Sequence, residues 1–86
     1  CIECQIPMTI EDSWGGDIAT SAIAHLAHST PTKFRFSSTD FNSYNSFSYS
    51  EGSPQRKDGK MHASNDIGLG VTIDENLIGT PITIIE

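Results

Sequence analysis

Cysteines, basic residues and long apolar runs are all scarce in this chain of 86 residues. Two cysteines are too few for a disulfide framework, so we expect a reducing, cytoplasmic setting. Five basic residues stand against eleven acidic ones, which argues against a nucleic-acid partner because phosphate binding depends on Lys and Arg. No run is long and apolar enough to span a bilayer, so we expect no membrane partner either. What remains is a small acidic unit.

The length of the chain limits the core that it can build. A domain of this size buries little more than about 60% of the surface of its unfolded chain, which leaves it marginally stable. The sequence also begins with Cys1 rather than with methionine. We therefore expect part of a longer protein or a processed subunit, incomplete as a stand-alone fold.

The central stretch, residues 6–31, predicts a strand, a glycine turn and a helix. Apolar and polar residues alternate over 6–11, as in a strand, and Gly15-Gly16 supplies a sharp turn. Asp17 is a suitable N-cap for the helix, which Pro31 ends. Thr20 and Ser21 lie away from the centre of the apolar stripe, which is formed by Ile18, Ala19, Ala22, Ile23, Leu26 and Ala27.

A pair of carboxylates closes the predicted strand. If Met8 and Ile10 face surrounding helices, Thr9 and Glu11 face the interior of a barrel. Asp12 then points the opposite way, so at most one carboxylate of the pair faces a site. Such a carboxylate binds a metal, acts as acid or base, or holds an ammonium group. The alternative is a solvated acid in a turn.

A second strand is predicted over residues 33–40, with its two phenylalanines on one face. Two strands joined by a helix predict parallel pairing with a right-handed crossover. Ser37 and Thr39 fall on the opposite, inward face. Asp40 shares the phenylalanine face unless the strand ends before it. These polar residues cluster at the C-terminal end of the strand, where chemistry lies in α/β barrels.

The rest of the chain predicts loops and short elements. Residues 41–52 are rich in Ser, Asn, Tyr and Phe, which indicates a loop whose aromatic rings pack on a partner or form a lid. Asp58-Gly59 predicts a hairpin turn between weak strands at 55–57 and 60–63. Residues 74–78 predict a short turn or a single helical turn, and residues 82–86 a final strand.

No complete catalytic or metal-binding motif stands out along the chain. Cys1 and Cys4 form at most half of a zinc site, and no second pair is present. His25 and His28 have a ligand-like spacing on the predicted helix, but without a third ligand structural roles are favoured for both. Trp14 lines a pocket or covers a rim, and neither interpretation dominates.

Several segments together resemble the C-terminal part of the enolase superfamily, in its mandelate racemase/muconate lactonizing branch. Ser38–Asn42 is similar to members that act on hydroxyproline or proline betaine. Ile67 stands where that branch usually has proline. The other segments that carry the resemblance are Ile10–Asp17, Ala24–Ala27, Ser29–Pro31, Ile67–Val71 and Leu77–Pro81.

This resemblance implies an α/β fold, a (β/α)7β barrel of the TIM type. Residues 1–45 would supply its seventh strand, seventh helix and eighth strand, and residues 46–86 a β-rich segment that returns to an α+β capping domain. The implied enzyme is a Mg²⁺-dependent lyase. It abstracts the proton α to a carboxylate and eliminates water from a hydroxylated amino acid such as cis-3-hydroxy-L-proline. Its metal ligands and catalytic lysines would all precede Cys1, outside this chain.

The resemblance assigns substrate binding to four residues of this chain. Glu11 and Asp40 match the ends of strands seven and eight, with Trp14 and Thr39 as their neighbours. The implied partners are the N-terminal remainder of the same enzyme, a small amino-acid substrate and further copies in a homo-oligomer. Two alternatives stay open: a racemase or epimerase of proline or hydroxyproline derivatives, and an acidic, non-catalytic binding module that uses the aromatic loop.

Overall fold

The computed structural model describes residues 1–85, and its centre is a strand–helix–strand unit. The strands β1 (Met8–Ile10) and β2 (Arg35–Ser38) flank the helix α1 (Gly16–Ser29). They pair in parallel, as the sequence predicts, and Thr9 lies opposite Ser37. The hydroxyl oxygens of Thr9 and Ser37 lie 3.1 Å apart on one face. Ile10 is buried on the other, so the predicted alternation along β1 is confirmed.

The start of α1 differs from the prediction. Gly15 occupies the N-cap position and offers no side-chain acceptor, whereas Asp17 is fully buried and accepts from donors elsewhere in the chain. Asp17 is therefore not the helix cap. At the other end the Thr30 amide bonds the carbonyl of Leu26 (3.1 Å), which satisfies one of the free C-terminal carbonyls before Pro31. No helix within residues 1–85 has the length and apolar character needed to cross a bilayer.

The buried face of α1 is more polar than the apolar stripe predicts. Thr20 and Ser21 are 1% and 0% exposed, whereas Ile18 and Leu26 of the stripe are 43% and 52% exposed. Two strands and one loop cover only a narrow strip of the helix, and that strip carries the small and polar residues. The placement of Thr20 and Ser21 at the edge of the buried face was therefore wrong. The larger apolar side chains are left uncovered on the flank.

The second half of the chain contains only short elements. A 3₁₀ turn (Phe41–Tyr44) follows β2, and the two-residue strands β3 (Ser50–Glu51) and β4 (Thr72–Ile73) pair antiparallel. A single helical turn, α2 (Glu75–Ile78), is capped by the Asp74 carboxylate, as the sequence predicts in this region. Residues 82–85 form no strand, so the predicted final strand is wrong there, and residue 86 lies outside the described residues.

The predicted hairpin turn at Asp58-Gly59 is present in reduced form. Both residues have positive φ (51° and 74°), which is the conformation that a two-residue hairpin turn of this type requires. The flanking strands shrink to one antiparallel bridge between Lys57 and Lys60. The turn chemistry was therefore predicted correctly, and the strands beside it were not.

The described residues leave an unusually large surface uncovered. The exposed area is 6703 Å² and the radius of gyration is 14.6 Å. A closed domain of this mass has about 5,000 Å² of surface and a radius of gyration of about 12 Å. Within residues 1–85 the buried apolar residues are Ile10, Ala24, Ala27 and Pro54. The chain thus forms an α/β unit with open faces rather than a closed core.

Candidate functional site

The C-terminal ends of β1 and β2 lie side by side. The Thr39 amide donates to the Ile10 carbonyl (3.0 Å), and the Asp12 amide donates to Thr39 Oγ1 (2.7 Å). Glu11 lies between Ile10, the last residue of β1, and Asp12, the two residues that make these bonds. Parallel pairing therefore brings Glu11, Thr39 and Asp40, predicted as site residues from distant parts of the sequence, to one edge of the sheet.

The buried side chain of Asp12 holds this edge of the sheet in place through hydrogen bonds. Its side chain is buried, and one carboxylate oxygen accepts from the Ser13 amide (2.6 Å). The other oxygen accepts from the Thr20 hydroxyl and from the Phe41 amide (3.2 Å). These bonds join the end of β1 to α1 and to the segment after β2. Sequence reasoning identified the carboxylate pair but missed this role, because its partners are 8 and 29 residues away.

The two predicted substrate-binding carboxylates, Glu11 and Asp40, differ in how many hydrogen-bond and ion-pair partners they already have. Asp40 accepts from the amide of Ser43 (3.1 Å) and from its hydroxyl, and lies 3.7 Å from Arg56 Nε. Glu11 is exposed and makes no ion pair within residues 1–85. Because Arg56 is itself half exposed, its pairing with Asp40 is weak. Glu11 is nevertheless the carboxylate with more capacity for a cationic ligand.

Trp14 belongs to an exposed cluster of aromatic rings beside these carboxylates. Its ring stacks on Phe41 at 4.5 Å between centroids and lies 5.9 Å from the Tyr44 ring. Trp14 remains 65% exposed, so one face of this aromatic platform (Trp14, Phe41 and Tyr44) is free. An aromatic face attracts a cation or an apolar ring. The free face of Trp14 is therefore open to a ligand, whereas the cavity that Phe41 and Tyr44 line does not include Trp14.

Asp17 is the second buried carboxylate near the site. Within residues 1–85 it is paired with no basic residue, and four groups of the loop after β2 donate to it. Burial raises the pKa of Asp17, but these hydrogen bonds outweigh burial and hold the pKa below its ordinary value. The donors are Asn42 Nδ2 (2.6 Å), Ser48 Oγ (2.6 Å), Tyr49 N (2.9 Å) and Ser50 Oγ (2.9 Å).

His28 and His62 line a cavity that Thr39 and Asp40 also line. His25 and the two cysteines do not line it. His25 Nε2 is 3.2 Å from the Leu69 carbonyl, and because a carbonyl only accepts, the ring donates there. The rings of His28 and His62 meet edge to face at 5.8 Å. Cys1 and Cys4 are exposed, with free thiols. The structural role expected for His25 is supported by its bond to the backbone.

The described residues do not fit a magnesium site. No group of three His, Cys, Asp or Glu side chains converges within residues 1–85. Both buried carboxylates, Asp12 and Asp17, already accept several hydrogen bonds, which leaves their oxygens little capacity for a hard cation. A magnesium ion would therefore need ligands from residues outside this part of the chain.

Replacing the buried carboxylate of Asp12 will destabilise the complete protein. In Asp12→Asn the amide group must face a donor, Ser13 N, Thr20 Oγ1 or Phe41 N, so we expect a loss of about 1–3 kcal/mol. Thermal and urea unfolding measure the change. The matched control is Asp74→Asn, since Asn caps a helix about as well as Asp and α2 is exposed. Equal stability of the two variants would contradict the bracing role.

The family follows from comparison with known proteins. The model of the family described as enolase C-terminal domain-like matches residues 1–77, and the chain belongs to this family. Over 82 residues it is 56% identical to cis-3-hydroxy-L-proline dehydratase from Roseibium aggregatum, covering 95% of this chain and 22% of that protein. The resemblance drawn from the sequence is confirmed.

A solved structure agrees with this assignment. The crystal structure of mandelate racemase/muconate lactonizing enzyme from Roseovarius nubinhibens superposes with a TM-score of 0.85 at 46% identity. The match covers 95% of this chain and 22% of that one. The chain therefore spans about a fifth of the length of both relatives and is homologous to part of a larger enzyme.

Proposed function

We propose that this chain forms the substrate-holding C-terminal part of a dehydratase that acts on a hydroxylated amino acid such as cis-3-hydroxy-L-proline. The observation that carries the proposal is the 56% identity to a dehydratase of that name, which extends over 95% of the chain. The strand ends add an exposed carboxylate, Glu11, which lies three residues before Trp14 of the aromatic platform.

We place residues 1–45 as strand seven, helix seven and strand eight of the barrel, and residues 46–86 against the capping domain. The parallel pairing of β1 and β2 across α1 supports this placement. The uncovered apolar flank of α1, with Ile18 and Leu26, suits a helix that has neighbours on both sides in a barrel. The remainder of the enzyme would cover that flank.

The reaction requires two bonds at neighbouring carbons to break. The proton leaves the α carbon, its electron pair forms the carbon–carbon double bond, and the hydroxyl group departs with a proton as water. The resulting cyclic enamine tautomerises to an imine. The described residues do not fit a magnesium ion, so the metal would come from the remainder of the enzyme. The resemblance to the family implies that the base for this step comes from there as well.

The role of this chain would be to hold the substrate. Glu11 would accept hydrogen bonds from the substrate ammonium group, a charge-assisted contact stronger than a neutral one. The free face of Trp14 would lie against the pyrrolidine ring, which carries the positive charge. Asp40 would add negative charge to the same wall, and Thr39 would fix the backbone between the two carboxylates through its bond to Asp12.

An epimerase of proline derivatives is the second candidate. The superposed crystal structure is described as a mandelate racemase/muconate lactonizing enzyme, a name that includes a racemase. Both reactions begin with removal of the α proton, and the outcome depends on whether a hydroxyl group leaves. A wall of carboxylates and aromatic rings would serve either one.

One experiment separates these functions. The complete enzyme is incubated with cis-3-hydroxy-L-proline in D₂O and followed by proton NMR, with L-proline as a control that lacks the leaving group. A dehydratase consumes the hydroxyproline and yields the imine. An epimerase returns substrate with deuterium at an inverted α carbon. Failure to observe either change would contradict both enzymatic candidates and favour the binding module.

A further inference from the structure

We propose that Asp17 is a positioning residue that fixes the aromatic platform through the loop formed by residues 42–50. The inference rests on the proposed function, because it assigns the platform to substrate binding. Asp17 itself is fully buried and touches no part of the free aromatic face. Its effect on the substrate would pass through the backbone and side chains that it holds.

The two carboxylate oxygens of Asp17 accept hydrogen bonds from the two ends of this loop. One oxygen accepts from Asn42 Nδ2, and Asn42 lies inside the 3₁₀ turn that carries Phe41 and Tyr44. The other oxygen accepts from Ser48, Tyr49 and Ser50 at the far end. A single carboxylate therefore fixes both ends of a segment that is otherwise polar and largely exposed.

Tyr49 provides a second attachment of the same loop to α1. Its hydroxyl group donates to the Gly15 carbonyl (2.8 Å) and accepts from the Ile18 amide (3.4 Å). Gly16 has a φ of +60°, and a Cβ there would lie 2.6 Å from the Tyr49 ring. The glycine turn thus provides the close approach that lets the loop lie against the start of the helix.

These contacts connect the aromatic platform to Asp17 through a continuous chain of residues. Trp14 lies three residues before Asp17 and stacks on Phe41, while Asn42, the next residue, bonds Asp17. These contacts lead from Trp14, in the turn before α1, through Phe41 and Asn42 to Asp17, in the first turn of α1. Loss of the Asp17 carboxylate removes the only ionised member of this chain of contacts. The 3₁₀ turn is then held by the Asp12–Phe41 bond and the Asp40 cap, and it can shift relative to Trp14.

The test uses Asp17→Asn in the complete enzyme. Hydrogen exchange of residues 41–50 will become faster, and KM for cis-3-hydroxy-L-proline will rise about tenfold with kcat within about twofold, because the proton-transfer groups lie elsewhere. The control Asp74→Asn removes an exposed capping charge and will change neither quantity. If Asp17→Asn fails to fold, Asn42→Ala takes its place, which removes the contact of Asp17 to the turn together with the exposed side-chain bond from Asn45.

A double-mutant cycle with Trp14→Phe distinguishes positioning from general stability. If Asp17 acts through the platform, the two substitutions will be non-additive in KM, with the second adding less than twofold. Additive effects, or unchanged exchange of residues 41–50, would overturn the proposal. Should the wild-type enzyme turn over no hydroxyproline, the proposed function fails. Exchange of the 3₁₀ turn then decides whether Asp17 fixes the platform.

Discussion

Replacing Glu11 by glutamine in the complete enzyme will lower kcat/KM for cis-3-hydroxy-L-proline about 10- to 100-fold. Glutamine keeps the shape of the side chain and removes the charge that would face the substrate ammonium group. A charge-assisted hydrogen bond contributes about 1.5–3 kcal/mol, and each 1.4 kcal/mol is a factor of about ten. Steady-state kinetics measure the effect, and the melting temperature will hardly change because Glu11 is exposed.

Two further variants make this prediction specific. Glu51→Gln removes an exposed charge on β3, which belongs to the other, antiparallel sheet, and will leave kcat/KM unchanged. Asp40→Ala will lower the melting temperature as well as activity, because it removes the cap of the 3₁₀ turn and the ion pair with Arg56. An unaltered kcat/KM in Glu11→Gln would assign Glu11 to the rim of the barrel and leave Asp40 as the carboxylate that meets the ammonium group.

The isolated chain of 86 residues will neither unfold cooperatively as a monomer nor dehydrate hydroxyproline. Its exposed area of 6703 Å² exceeds the area of a closed domain by about a third, and unpaired strand edges favour association. Circular dichroism on heating and analytical ultracentrifugation at micromolar concentration test the first statement. The dehydration assay, with the complete enzyme as control, tests the second. A sharp monomer transition or measurable turnover would contradict this account.

The local pattern of the sequence predicts the centre of the fold well. The alternation before Glu11, the glycine pair and the helical spacing after it correspond to β1, the turn and α1. These signals act over a few residues, so they can be recognised without tertiary information. The parallel pairing of β1 and β2 follows from the connecting helix, and it accounts for the proximity of Glu11 and Asp40.

The predictions that were wrong or incomplete concern residues whose environment depends on contacts between distant segments of the chain. Asp17 is a residue type that often caps helices, and it stands where the sequence predicts a cap. Its carboxylate instead accepts hydrogen bonds from donors 25 to 33 residues later in the chain. Thr20 is buried because Asp12 accepts its hydroxyl group, a partner that no helical pattern indicates. The stacking of Trp14 on Phe41 likewise depends on where the 3₁₀ turn lies after β2.

The most direct measurement is a crystal structure of the complete enzyme with cis-3-hydroxy-L-proline bound. The account predicts a Glu11 carboxylate oxygen within about 2.7–3.2 Å of the substrate nitrogen, with the free face of Trp14 against the ring. The account would be contradicted by a Glu11 side chain that points into solvent. Both carboxylate oxygens would then lie more than about 6 Å from the substrate nitrogen, too far for contact with its positive charge.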